Sequence, residues 1–449
     1  MPDFRVAVVG SGPAGLYAAD ELVRQQELDV EVDIFDRLPT PYGLVRYGVA
    51  PDHARIKTVV RSLRRILEHA RVRYLGNVHL GSDIDRAFLE ENYDATVYAT
   101  GASRDRRLDV PGEDLRGVCS ATQLVSWYSA HPDARGGFDP AAESVAVIGA
   151  GNVALDVARI LVKTRDELAR HTDMPSHVLD QLGASAVREV HVFCRRGPEH
   201  AKFTAKELRE LGDLPAVDVV LDPAVLARAD AAAADKQARA NLAAFEDLAK
   251  RTRRADTRKI RFHFWSKPVG ILGDGAVEAL RVEHTAVDAD GSLRGTGECA
   301  TVAVQLVVRS VGYRSVPVPD LPFDDRQGTV PHDRGRIVDP AGAIVPRQYV
   351  AGWLKRGPSG VIGTNRIDSA ETVRSLVEDL KTAAVARKGV AAETIDMLLA
   401  GRGVRPVHYD GWLRIDSDEI ARGRRSSRER TKIPDWETLL QLGLAARSG

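Results

Sequence analysis

The chain of 449 residues has room for two or three domains of ordinary size. With 44% hydrophobic and 28% charged residues it reads as globular, and no apolar run is long enough to cross a bilayer. Its 63 basic and 63 acidic side chains cancel, which excludes a global attraction to nucleic acid or membrane and leaves charged docking to local patches. Met1 leads directly towards a strand, without the basic and apolar regions of a signal peptide, so a cytoplasmic location is expected. Cys119, Cys194 and Cys299 form no C-x-x-C, and the 12 histidines form no H-E-x-x-H. Neither a redox disulfide, a cysteine-held iron–sulfur cluster nor a metal is expected.

The apolar run Val6–Val9 predicts a buried strand, followed by Gly10, Gly12 and Gly15 in G-x-G-x-x-G spacing and a helix from Leu16. This spacing serves a dinucleotide. The first glycine permits a tight turn, the second lets backbone approach a pyrophosphate, and the third lets helix pack on strand. Free N–H groups at the helix start face the phosphates. A second strand, Val30–Phe35, ends in Asp36, a carboxylate placed to take a ribose hydroxyl pair. The Pro- and Gly-rich stretch Leu38–His53 predicts an ordered loop beside that site. Arg55–Leu67 follows as an amphipathic helix with a basic stripe at Lys57, Arg61, Arg64 and Arg65, and Tyr93–Gly101 as a strand closing on Ala-Thr-Gly. The Pro-, Gly- and charge-rich segment from Ala102 to Asp114 marks a domain crossing.

A second fingerprint begins at Ser144. Strand Val145–Ile148 runs into Gly149, Gly151 and Ala154, in G-x-G-x-x-A spacing, and then a helix. The next strand, Glu189–Cys194, ends where an NAD site would offer an acid, and this chain offers Arg195 and Arg196. Paired guanidiniums are the expected answer to an NADP 2′-phosphate. The span from Gly151 to Arg195 is roughly twice the usual ~20 residues, because Lys163–Ala186 reads as an insertion. Helices are expected over Ala201–Leu211 and Asp230–Arg254, the latter ending in a basic cluster, Lys250–Arg254. Alternation over Arg261–Ser266, Val277–Thr285 and Thr301–Ser310 predicts an inserted antiparallel sheet. Gln348–Trp353 is a last buried strand, followed by the Gly-rich turn Gly357–Asn365 and a helix through Leu380. The stretch 387–449 shows short helical patterns and no chemistry of its own.

Two nucleotide fingerprints, a central Ala-Thr-Gly and a terminal Gly-rich turn describe a flavoprotein with two dinucleotide-binding domains. Four stretches carry a closer likeness: Pro39–His53; Gly149–Asp156; Arg195-Arg196-Gly197-Pro198 with Lys206–Glu210; and Trp353–Asn365. Together they resemble the adrenodoxin reductase family, most of all its actinobacterial NADPH–ferredoxin reductase branch, over about residues 3–385.

The resemblance implies an α/β fold of two Rossmann-like domains, with the NADP domain inserted in the FAD domain. The expected segments are 1–105 and 336–386 for FAD, 106–335 for NADPH, and 387–449 as a C-terminal extension. It implies hydride transfer from NADPH to FAD, then single electrons to a ferredoxin-type iron–sulfur protein; the sequence does not identify the oligomeric state, and a monomer is the expectation. Ala14, Asp36, Leu44, Val78 and Trp353 would line FAD, with Gly360, Val361 and Ile362 capping its isoalloxazine. Arg106, Asn152, Val153, Ala154, Leu155, Arg195, Arg196, Glu207 and Gly360 would contact NADPH. His53 and Glu210 match the family's active-site pair, and Arg209 a ferredoxin-contacting arginine. Asp36 departs from the glutamate more often found there. The alternative is an FAD- and NADPH-dependent monooxygenase or diaphorase with a different acceptor; a disulfide reductase would need a cysteine pair beside the flavin.

Overall fold

The computed structural model describes residues 4–53, 58–229, 235–251, 257–382 and 387–445. The chain divides into two compact units: Met1–Arg104 with Ser129–Asp133 and Tyr313–Gly449, and Asp105–Tyr128 with Ala134–Gly312.

The first unit is built on a seven-stranded sheet. Phe4–Val9 lies between Val30–Phe35 and Ala95–Tyr98, parallel to both, with Val72–Leu75 outside Val30–Phe35. Ile344–Val350 adds to Ala95–Tyr98 in parallel, and Arg336–Val338 and His332–Asp333 complete the edge in antiparallel. Val6, Ala7 and Val8 have no exposure at all, because a parallel strand covered on both faces needs a continuous apolar run. The glycine turn leaves the carboxyl end of Phe4–Val9, where the connections diverge to the two sides. The helices Pro13–Arg24 and Thr364–Lys381 meet where the buried Ser369 hydroxyl donates to the Ala14 carbonyl at 2.9 Å.

The stretch 387–445 belongs to this core. Its helix Ala392–Gly401 buries Ile395 and Leu399 with Phe88 and Leu89, and its helix Tyr409–Arg425 buries Trp412 and Ile415 with Leu63 and Ile66. The short segment Ser129–Asp133 is held by the same stretch: Lys432 Nζ donates to the Ser129 carbonyl at 3.3 Å and Trp436 Nε1 to Asp133 at 2.7 Å.

The second unit carries a six-stranded, all-parallel sheet in the order Val118–Ser120, Leu306–Arg309, Ser144–Ile148, Glu189–Phe193, Arg258–His263, Val217–Val220. A separate antiparallel sheet joins Ser266–Leu272, Ala279–Val287 and Leu293–Ala303. Two helices, Arg165–His171 and Ser176–Gly183, account for the inserted Lys163–Ala186.

Three expectations need correction. The return from the second unit falls at Gly312–Tyr313 and not at 335–336, because Val318, Leu321 and Val330 bury among Phe35, Tyr98 and Ile337. Of the three alternating runs, Arg261–Ser266 and Thr301–Ser310 are each divided between the two sheets: Arg258–His263 and Leu306–Arg309 join the parallel one. The expected helix 230–254 is Lys236–Ala249; its flanks 230–234 and 252–256, with Arg253 and Arg254, and Lys57 of the first basic stripe lie outside the described residues.

Candidate functional site

In the first unit the glycine turn shows why each position is fixed. Gly10 has φ +111°, and a Cβ there would meet the Ala99 carbonyl oxygen at 2.4 Å; a Cβ on Gly15 would meet the Gly10 oxygen at 1.9 Å. A Cβ on Gly12 would meet nothing within 4 Å, so open space lies over that residue. The helix that follows has no side-chain N-cap, which leaves its first N–H groups available to an anion.

Asp36 braces this turn. Its carboxylate accepts from Ser11 N at 2.8 Å, from the Ser11 hydroxyl and from Leu38 N at 2.9 Å. Burial pushes the Asp36 carboxyl above its ordinary value, and the hydrogen bonds from Ser11 and Leu38 offset part of that rise. A carboxylate has about four lone-pair sites, so three donors leave room for a ribose hydroxyl.

The loop 38–50 folds back over the turn: Tyr42 N donates to the Ser11 carbonyl at 3.0 Å, and a Cβ on Gly43 would meet Gly12 Cα at 3.0 Å. Its short helix Leu44–Tyr47 carries Leu44, half-buried. His53, at the loop's end, is buried. On the other side, a Cβ on Gly352 would meet Ala14 Cβ at 2.5 Å, which sets Trp353 beside the nucleotide helix. Trp353 stacks on Tyr313 with ring centres 5.5 Å apart and donates from Nε1 to the Ser359 carbonyl at 3.1 Å. Gly360 has φ +81°, Val361 is 69% exposed, and Ile362 is partly buried against the core. Val78 is only 1% exposed and packs with Phe35 and Leu75, so its side chain serves the core and its backbone is what a ligand would meet.

The second unit repeats the construction. Gly149 N donates to the Phe193 carbonyl at 3.0 Å, as Gly10 N does to the Phe35 carbonyl at 2.7 Å. A Cβ on Gly149 would meet the Ser310 oxygen at 2.2 Å; one on Gly151 would meet nothing within 4 Å. Ala154 and Leu155 are fully buried, Val153 partly, and the helix Asn152–Val162 again lacks a side-chain cap. Asn152 clips the next element, its Oδ1 accepting from Thr204 N at 2.8 Å. Thr204 caps the helix Ala205–Gly212, which carries Glu207, Arg209 and Glu210. Glu207 is buried with its carboxylate 3.7 Å from Arg159, whose guanidinium also holds Asp156 at 2.7 Å. Glu210 lies 3.6 Å from Lys206, and Arg209 is exposed. Arg106 is exposed, its N–H on the Gly312 carbonyl at 3.1 Å.

Arg195 and Arg196 open onto a cavity of about 230 Å³, also lined by Lys267, Thr285 and Arg294. Lys267, Thr285 and Arg294 escaped the sequence reading, since strand register and not spacing brings them there. So did Glu419. It is fully buried in the first unit, accepts from Arg46 Nη1 at 3.0 Å and Arg430 Nη1 at 2.8 Å, and so ties the tail to the loop 38–50. Burial alone would raise its carboxyl; the charges of Arg46 and then Arg430 hold it below its ordinary value.

Two glycine turns, each with an open middle position and an uncapped helix, define the class: an oxidoreductase with two dinucleotide-binding folds. Residues 4–210 match the family described as pyridine nucleotide-disulphide oxidoreductase. The chain is 43% identical over 461 residues to NADPH-ferredoxin reductase FprA of Mycobacterium tuberculosis, covering 99% of this chain and all of that one. It is 39% identical to the mitochondrial NADPH:adrenodoxin oxidoreductase of Arabidopsis thaliana, over 97% of this chain and 94% of that protein. The solved structure of Mycobacterium tuberculosis FprA in complex with NADPH superposes with a TM-score of 0.94 at 42% identity, over 99% of this chain and all of the other. The chain therefore belongs to the adrenodoxin reductase family of NADPH–ferredoxin reductases. Burial holds the Cys194 thiol above its ordinary value and pushes that of Cys119 up to about 12.

Proposed function

We propose that the protein is an FAD-dependent NADPH–ferredoxin reductase whose first unit holds FAD and whose second holds NADPH. The observation that carries the reading is the pairing of a second glycine turn with a cationic cavity at the end of the next strand, where Arg195 and Arg196 would meet a 2′-phosphate. FAD, when bound, supplies the step from a two-electron hydride donor to a one-electron acceptor.

The chain's own residues do the rest. Gly10, Gly12, Gly15 and the helix start receive the FAD pyrophosphate, and Asp36 takes a ribose hydroxyl while bracing the turn through Ser11. Leu44, Trp353 and Gly360–Ile362 exclude water from the ring system. Gly149, Gly151 and the helix start Asn152–Leu155 receive the NADPH pyrophosphate, with Arg106 and Glu207 as further contacts. His53 in the first unit and Glu210 in the second are, each within its own unit, the residues that hold and release protons. The electron acceptor is a ferredoxin-type iron–sulfur protein, drawn to the exposed Arg209 face.

The test is chemical. The purified protein should be yellow, release FAD on denaturation, and transfer electrons from NADPH to an acidic [2Fe–2S] ferredoxin. A colourless protein overturns the flavin assignment, and NADPH-driven oxygenation of an organic substrate without ferredoxin reduction favours the monooxygenase.

A further inference from the structure

We infer that the antiparallel sheet Ser266–Leu272, Ala279–Val287 and Leu293–Ala303 is one wall of the nucleotide-phosphate site, with Lys267 and Arg294 reading a phosphomonoester alongside Arg195 and Arg196. The inference rests on the reading of the second unit as the NADPH unit and adds residues to it that neither fingerprint contains.

Among the described residues seven line the cavity, of which four are cationic and none acidic. Two come from the turn after the strand Glu189–Phe193; Lys267 and Arg294 come from opposite edges of the antiparallel sheet. The sheet is stitched to the turn and not merely near it. Ser266 N donates to the Cys194 carbonyl at 3.0 Å, and Trp265 N to the Arg196 carbonyl at 3.3 Å. Thr285, 3% exposed, donates from its hydroxyl to the Arg195 carbonyl at 2.7 Å, and its N–H reaches the Trp265 carbonyl at 2.9 Å. These bonds fix the backbone of both arginines against the sheet, and Lys267 follows the stitched Ser266 by one residue.

Charge balance favours a dianion. Asp288 holds Arg294 by Nε at 2.6 Å, and Glu283 sits opposite Lys267 in the strand register. Four cations against those two carboxylates leave the cavity positive. A phosphomonoester brings close to two negative charges and three acceptor oxygens, and so accepts from several cations at once. Leu293–Ala303 is exposed along nearly its whole length. Its residues Leu293–Gly295 line the cavity.

The experiment measures binding of 2′,5′-ADP and of 5′-AMP to the full-length holoprotein by calorimetry, for wild type, Lys267→Ala, Lys267→Arg, Arg294→Ala and Arg195→Ala. Lys267→Ala and Arg294→Ala should each weaken 2′,5′-ADP about tenfold and 5′-AMP less than about twofold, and Lys267→Arg should restore most of the difference. Equal losses for the two probes, or no loss, overturn the inference while Arg195→Ala still discriminates between them. If Arg195→Ala also fails to discriminate, the NADPH reading of the second unit falls, and the inference with it.

Discussion

On the proposed reading, Arg195 and Arg196 set the choice of nicotinamide cofactor. Both are on the strand-end turn and line a cavity that has no lining carboxylate among the described residues. Charge-assisted hydrogen bonds of about 1.5–3 kcal/mol predict a loss of about tenfold to a hundredfold per arginine. Replacing both with Ala should therefore raise KM for NADPH far more than KM for NADH in steady-state kinetics; equal losses would remove them from the 2′-phosphate. His53 is the second residue with a defined consequence. It is buried at the end of the loop that covers the first glycine turn, and an imidazole can both take up and release a proton. His53→Gln should change the pH profile of flavin reduction in the stopped flow while FAD stays bound. An unchanged profile would make His53 a structural residue of the loop.

At the scale of elements, the C-terminal helix Tyr409–Arg425 braces the loop 38–50. Arg46 is buried between Glu419, to which it is paired, and the faces of Tyr47 and Trp412, at 5.0 and 5.2 Å from their ring centres. Lys432 Nζ reaches the Arg46 carbonyl at 2.6 Å. Removing one partner of a buried ion pair leaves the other charge uncompensated, at a cost of about 3–5 kcal/mol. Glu419→Ala should therefore lower the stability of the protein at neutral pH and weaken FAD binding, both measurable in thermal melts with and without added FAD. The pH dependence has a definite sign. The folded-state carboxyl of Glu419 lies below its ordinary value of 4.5, so its contribution is complete above that value and is lost as pH falls through the lower folded-state value. The melting difference between wild type and Glu419→Gln should accordingly shrink on acidification; a constant difference would mean that packing, and not charge, carries the brace.

The same comparison of elements explains what was legible in the sequence. The two glycine turns were, because strand, turn and helix are contiguous and their steric demands fall on neighbouring residues. The places of Asp36 and Arg195 in the fold were, because each lies within two residues of the end of the next strand. The Arg46–Glu419 pair was not, since its partners are 373 residues apart and meet only through tertiary packing. The run Thr301–Ser310 read as one strand because its alternation continues through Val304, yet the chain leaves one sheet at Ala303 and enters another at Leu306. Lys267 and Arg294 lie on strands whose register, not their spacing, brings them to the cavity.

At the scale of the whole molecule, net charge is zero, so attraction of an acidic partner depends on a local face. Arg209 is exposed beside the Lys206–Glu210 pair, whereas Arg251 is committed to the Gly212 carbonyl and to Asp213 at 3.2 Å, and so contributes less to docking than the Lys250–Arg254 cluster suggests. Arg61, Arg64 and Arg65 form an exposed stripe on the first unit, with Arg64 paired to Glu68 at 2.7 Å. Arg209→Glu should slow ferredoxin reduction and flatten its salt dependence, while turnover with a small neutral acceptor stays near wild type. An unaltered salt profile would shift the docking face to the Arg61–Arg65 stripe. Electron flow from NADPH through FAD to ferredoxin is tested most directly by double-mixing stopped flow under anaerobic conditions. The holoprotein is first reduced by one equivalent of NADPH, then mixed with excess oxidised [2Fe–2S] ferredoxin. The flavin absorbance should bleach in the first mix and return in full in the second, with about two ferredoxins reduced per flavin. A flavin that NADPH leaves oxidised, or one that stays bleached before ferredoxin and recovers only with oxygen, would contradict that flow.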